Sequence, residues 1–125
     1  MENSVALNLS ITRSSGAEIY FGRVTGYSGD NNQRDPKTTG GPNHARSDMV
    51  FIDENGDTAA FPNLAATADG KDGADVALGT ALVTVFSGWD ANIWNIPSGN
   101  LTVGGALPTL KAVTQSPAPT LPAIP

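Results

Sequence analysis

The one histidine of the chain, His44, stands in Asn43-His44-Ala45-Arg46-Ser47-Asp48, with a hydroxyl and a carboxylate close behind it. These are the side-chain types of a serine nucleophile, its base and the acid that orients the base. Such a relay is assembled from separate parts of a scaffold, and adjacency on one stretch does not build it. No Gly-x-Ser-x-Gly elbow is present either. One histidine with no cysteine falls short of the usual zinc ligand set. The residues therefore point away from an enzyme.

Oxygen ligands are more plentiful. Asp53, Asn55 and Asp57 lie in Asp53-Glu54-Asn55-Gly56-Asp57, which resembles the opening of a calcium loop. A helix-flanked loop of that kind wants Gly at its sixth position and Glu at its twelfth. Thr58 and Leu64 stand there instead. Asp69, Asp72 and Asp75 follow, and carboxylates folded together repel one another until a cation intervenes. Calcium on Asp53, Asn55 and Asp57 is thus one expectation, and a solvated turn is the favoured one. Glycoside hydrolysis needs two carboxyls across an aromatic-lined cleft, and aromatic residues make up only 6% of the chain. Trp89, Trp94, Tyr20 and Tyr27 could instead stack on sugar rings. Five-residue spacing on a strand would put the two indoles on opposite faces, one exposed and one in the core. Burial of both tryptophans is the preferred reading.

Positioning falls mainly to β elements. Val5, Leu7, Leu9 and Ile11 alternate with Ala6, Asn8 and Ser10, the period of a half-buried strand. Residues 18–27 read as a second strand bent at Gly22 and Gly26, and residues 28–43 as a long polar loop. Residues 48–52 form a short strand. Glu54-Asn55-Gly56-Asp57 is a hairpin turn signal, with a return strand over 58–61. Residues 64–68 have the composition for one helical turn. Residues 75–78 are apolar, and residues 81–86 predict a strand buried on both faces, a short helix being the alternative. Residues 101–103 make a last strand. From Ala112 onward charge is absent and prolines recur at 117, 119, 122 and 125, which predicts a stiff extended tail outside the core. The expected organisation is a folded module over 1–111 and a linker over 112–125.

Charge and composition exclude several partners. The net charge is −5, and Asp53, Glu54, Asp57, Asp69, Asp72 and Asp75 against Lys71 account for it. With no basic stripe to neutralise phosphates, a nucleic-acid partner is not expected. No run of about eighteen apolar residues exists to span a membrane. The N-terminus has neither the charged nor the apolar region of a signal peptide. Fourteen glycines and nine prolines favour many turns over long helices. Absent cysteine removes disulfides and thiolate metal sites. Asn8-Leu9-Ser10 and Asn100-Leu101-Thr102 are formal glycosylation sequons, informative only in a eukaryotic secretory pathway.

Several segments, taken in order, resemble the last turns of GLUG-repeat bacterial surface proteins. They are Val5-Ala6-Leu7-Asn8-Leu9-Ser10-Ile11, Gly22-Arg23-Val24-Thr25-Gly26-Tyr27, Ala45-Arg46-Ser47-Asp48-Met49 and Lys71-Asp72-Gly73-Ala74-Asp75-Val76. Trp89 and the close Ile93-Trp94-Asn95-Ile96…Leu107-Pro108-Thr109-Leu110-Lys111 complete the set. The glycine pair of the repeat stands here as Gly22-Arg23. The resemblance implies a secreted, adhesin-like chain at the bacterial cell surface whose repeats wind into a right-handed β-solenoid, a β-helix. It implies an all-β fold that ends the solenoid, with a small β-sandwich or barrel as the alternative. Its partners would be preceding rungs of a longer parent chain, and a glycan or another surface protein. A chain without a signal peptide would then be a piece of that parent. An end rung has no neighbour on one side and must be covered. Trp89, Trp94, Ile96, Leu107 and Leu110 are the residues expected to form the cap. The functions that follow are a structural and adhesive module, a carbohydrate-binding module, or a calcium-stabilised extracellular domain.

Overall fold

A computed structural model of the chain describes residues 3–15, 21–25, 42–62, 64–68, 70–113 and 117–122. Among the described residues the regular structure is β strand apart from one four-residue helix. In chain order the elements are β1 (Val5–Ala6), β2 (Ser10–Thr12), β3 (His44–Arg46), β4 (Val50–Ile52), β5 (Thr58–Ala59) and β6 (Ala74–Val76). Then come α1 (Leu82–Val85), β7 (Trp94–Asn95) and β8 (Thr109–Leu110).

The strands form three small sheets: β1-β3-β6, β2-β4-β5 and β7-β8. The first is wholly parallel, with Val5 opposite His44 and His44 opposite Ala74. In the second, β2 and β4 are parallel, with Ile11 opposite Phe51. The succession β1 then β2 is therefore laid beside β3 then β4 in both sheets. Parallel neighbours require a long crossover, which the chain between β2 and β3 supplies. An antiparallel sandwich or barrel would not pair its strands in this way.

Asn43 pins the first sheet at its entry. Fully buried, it accepts a hydrogen bond from Ser4 N–H on Oδ1 (2.9 Å), and its backbone oxygen accepts one from Ala74 N–H (2.8 Å). The starts of β1, β3 and β6 are thereby tied together.

The alternating stretch that predicts one strand from Val5 to Ile11 is two short strands with a corner between them. Asn8 Nδ2 donates to Ser10 O (3.0 Å) at that corner. Leu7 packs toward the core, and Leu9 O accepts from Val50 N–H (3.0 Å). The predicted strand over 18–27 lies partly outside the described residues, as does most of the 28–43 loop. The described part, 21–25, is not a strand. Phe21 leaves its backbone there to meet Phe51 edge-on at 5.7 Å.

The hairpin between β4 and β5 forms where its turn residues stand. Asp53 N–H donates to Asp57 O (2.9 Å), Gly56 N–H donates to Asp53 O (3.1 Å), and Gly56 takes φ +87°. Residues 64–68 make no helical turn, and Leu64 is exposed.

The apolar stretch at 81–86 becomes α1 instead of a buried strand. Leu82, Val85 and Phe86 are buried while Val83 is exposed, which is the spacing of one helical face. Phe86 N–H donates to Leu82 O at 2.9 Å. The short helix buries one stripe where a two-sided strand would have had to bury Val83 as well. Leu101 is buried without belonging to a strand. It is fixed through Leu101 N–H to Thr80 O (2.8 Å), and the last strand among the described residues is β8.

One core cluster joins Val76, Leu82, Val85, Phe86, Leu101 and Leu121, with Val5, Leu7, Trp89, Ile96 and Leu107 packed against it. It reaches from β1 to β6, so α1 and the residues after it cover a face of the β1-β3-β6 sheet. Leu121 corrects the expectation of a tail standing off the core, because it is 1% exposed. An apolar side chain in an otherwise uncharged segment gains more from burial than from solvent. Residues 117–122 accordingly fold back.

Candidate functional site

Two constructions stand out: an aromatic cluster built by the C-terminal part, and a buried ionic network between the turns that precede the strands.

The aromatic cluster starts from α1, whose last turn presents Phe86. The backbone turns tightly after it, with Trp89 N–H donating to Phe86 O (3.0 Å), and the two rings meet edge-on at 4.8 Å. Residues 90–93 then form a second turn. Asp90 Oδ1 accepts Asn92 N–H (2.8 Å), and Asp90 O accepts both Ile93 N–H (3.0 Å) and Trp94 N–H (2.9 Å). That turn brings Trp94 against Trp89, ring centroids 4.3 Å apart and planes tilted by 51°. The expectation of opposite faces fails because a turn, not a strand, separates the two indoles.

Trp89 Nε1 donates to Asn3 O at 2.7 Å, tying the cluster to the residue that leads toward β1. Trp94 pairs with Leu110 across β7 and β8, and Asn95 with Thr109. Trp89, Ile96 and Leu107 pack on the core cluster. Trp94 and Leu110 are half-buried and reach the core through Trp89 and the β7–β8 pairing. The five residues expected to form a cap are thus brought into one region. Tyr20 and Tyr27, the other members of a sugar-stacking platform, lie outside the described residues.

The ionic network was not singled out from the sequence. Arg23 is 5% exposed, Arg46 and Asp72 are fully buried. Arg23 Nη1 sits 2.6 Å from Asp75 Oδ1 and also donates to Arg46 O (3.2 Å). Its Nε and Nη2 donate to Asp72 O (3.1 Å) and Gly73 O (3.1 Å). Asp72 Oδ1 accepts from Arg23 N–H (3.2 Å), and Oδ2 accepts from Ala65 N–H (3.0 Å) and lies 3.6 Å from Lys71 Nζ. Lys71 Nζ reaches on to Phe21 O (2.7 Å) and Pro62 O (3.3 Å).

Gly73 permits this closeness. It adopts φ +68°, and a Cβ there would come within 2.8 Å of Val24 Cγ2. The signal for the network was the pairing of Gly22-Arg23 with Lys71-Asp72-Gly73. Each holds a charge beside a glycine, which marks close backbone approach.

The other sequence-derived site residues are placed separately. Asp53 Oδ1 accepts Asn55 N–H (2.8 Å) and Asp57 N–H (3.0 Å), and Asn55 Nδ2 donates to Asp53 Oδ2 (3.3 Å). The hydrogen bond from Asp57 N–H chiefly holds the Asp53 carboxyl below its ordinary pKa, so the side chain serves its own turn. Glu54 pairs with Arg13 at 3.4 Å. Asp72 and Asp75 belong to the arginine network, and Asp69 lies outside the described residues. Among the described residues, no group of three histidine, cysteine or carboxylate side chains is gathered for a metal ion. Asp53, Asn55 and Asp57 do adjoin one another, in an exposed turn that they themselves stabilise.

His44, Ser47 and Asp48 do not form a relay. Asp48 gives both carboxylate oxygens to Arg46, at 2.8 and 2.7 Å, and that bond lowers its pKa. His44 Nδ1 is enclosed with no hydrogen-bond partner, and burial lowers the pKa of the ring.

Comparison of the chain with known protein families, with curated proteins and with solved structures finds no match. No helix among the described residues is long and apolar enough to cross a membrane.

Proposed function

We propose that this chain is a non-enzymatic structural module of a secreted bacterial surface protein, one that ends a β-solenoid of the GLUG-repeat kind. The observation that carries the reading is the paired parallel stacking. β1 and β2 lie beside β3 and β4 in two sheets, and β6 continues the first. Stacked rungs bury their side chains against one another and need a cover where the stacking stops. The cluster of Phe86, Trp89 and Trp94 with Ile96 and Leu107 supplies apolar bulk of that kind. It lies along the sheet from β1 to β6, so it covers the stacked strands from the side. In this reading Arg23, at the second position of the repeat's glycine pair, clamps successive turns, and preceding rungs meet β1 and β2.

The adhesive role, the bacterial surface location and a longer parent chain rest on the resemblance in residues 3–111. A glycan-binding role is the weaker reading. Trp89 has its N–H bound to Asn3 O and its ring against those of Phe86 and Trp94. Tryptophan fluorescence separates the two. A cover gives blue-shifted, quencher-resistant emission that glycans leave unchanged. Red emission that shifts on titration with glycans contradicts it.

A further inference from the structure

Pro-Thr-Leu occurs twice near the C-terminus, as Pro108-Thr109-Leu110 and Pro119-Thr120-Leu121. The first leads into β8 and pairs with β7. The second is held like a bound peptide. Leu107 N–H donates to Pro119 O (3.0 Å), Leu121 N–H to Gly105 O (3.0 Å) and Gly104 N–H to Leu121 O (2.7 Å). Ala106 and Thr120 complete an antiparallel bridge. Arg46 Nη1 donates to Pro122 O at 3.1 Å, and the Leu121 side chain enters the core cluster.

The match between strap and receiving surface is chemical. The surface takes one strap donor, Leu121 N–H, and three carbonyls, those of Pro119, Leu121 and Pro122. Proline stands at 119 and 122, where no N–H is required of the strap. Leucine stands where a side chain is buried. Proline also keeps a free segment extended, which lowers the entropy lost on docking. One receiving group is held by bonds that do not involve the strap: the Arg46 guanidinium is fixed by two bonds to Asp48. Backbone pairing for affinity with a pocket for selectivity is how a sheet edge recognises an added strand.

We propose that residues 104–107, Arg46 and the core opening that admits Leu121 form a peptide-binding site for an extended, uncharged Pro-Xaa-Leu-Pro segment. The chain's own 117–122 fills it in cis, and the strap of a second copy occupies it when the resident strap lifts. A short tether gives the resident strap an effective concentration in the millimolar range, so exchange is rare in dilute solution.

The test uses the full chain carrying Leu121→Glu and a fluorophore-labelled synthetic peptide of residues 114–125, followed by anisotropy. The folded variant is expected to take up the peptide saturably, at least about ten-fold more tightly than the wild-type chain. The same peptide carrying Leu121→Glu should bind at least about ten-fold more weakly than the native peptide. A folded variant that takes up no peptide, or both peptides equally, overturns the proposal. Hydrogen exchange on the wild-type chain covers a variant that does not fold. The Leu107 and Leu121 amides should exchange together, about ten-fold or more faster than those of Ala74 and Phe86. Equal protection of all four overturns a separable strap.

Discussion

At the scale of single residues, the buried charges set the terms. An arginine taken out of water is tolerated only with its donors answered, and Arg23 has four acceptors around it. Charge pattern alone makes Arg23 and Arg46 solvated surface residues, and only the glycines beside Arg23 and Asp72 signal otherwise. His44 shows the reverse case, a half-buried ring whose enclosed Nδ1 has no partner.

Its lowered pKa has a definite sign in stability. As pH falls through the ordinary histidine value of 6.5, the unfolded chain takes up a proton before the folded chain does. Stability is therefore complete above that pH and declines below it. Asp48 acts elsewhere. The hydrogen bond from Arg46 lowers its pKa from 3.8, so its contribution is present above that value and disappears as pH falls through the folded pKa. The urea midpoint of the wild type should thus fall between pH 7.5 and pH 5, and His44→Gln should remove most of the fall. A wild-type midpoint that stays level over this range would contradict a His44 ring with an enclosed, unpartnered Nδ1.

At the scale of elements, legibility followed locality. The β4–β5 turn was readable because Asn55-Gly56 carries its backbone geometry in its own residues. Residues 81–86 were ambiguous because a six-residue apolar stretch fits a buried strand and a short helix alike. The choice was made by burial of Leu82, Val85 and Phe86 against Leu101 and Leu121, partners distant in sequence. Alternation of residue types over 5–11 did not reveal the corner at Asn8, and Ala6 and Ser10 are half-buried like their apolar neighbours. The burial of Leu121 was not legible because proline content reports stiffness and not what a single leucine can reach.

The helical face makes a simple prediction. Leu82→Ala should cost about 2–5 kcal/mol, whereas Val83→Ala should change stability by no more than about 0.5 kcal/mol. Chemical denaturation of the two variants measures this, and equal losses would restore the buried strand.

At the scale of the whole molecule, the C-terminal part holds together strands that are far apart in sequence. Trp89 bonds the backbone at Asn3, Leu121 enters the same core as Val76, and Arg46 links β3 to the strap. The gathering of Trp89, Trp94, Ile96, Leu107 and Leu110 in one region was legible because large side chains concentrate there. Their reach across to β1 was not, since no local pattern encodes it. Among the described residues, no strand pairs with the far side of β1 or of β2. That is where further rungs would stack in the proposed solenoid.

In the proposed module the indole of Trp89 is a structural cover over the β1-β3-β6 sheet. Thermal unfolding of Trp89→Ala beside the wild type tests it most directly. The loss of ring packing and of the Nε1 bond to Asn3 should destabilise the chain by about 3 kcal/mol, a drop of several degrees or more in Tm. A Trp89→Ala protein that folds and melts as the wild type does would contradict the claim.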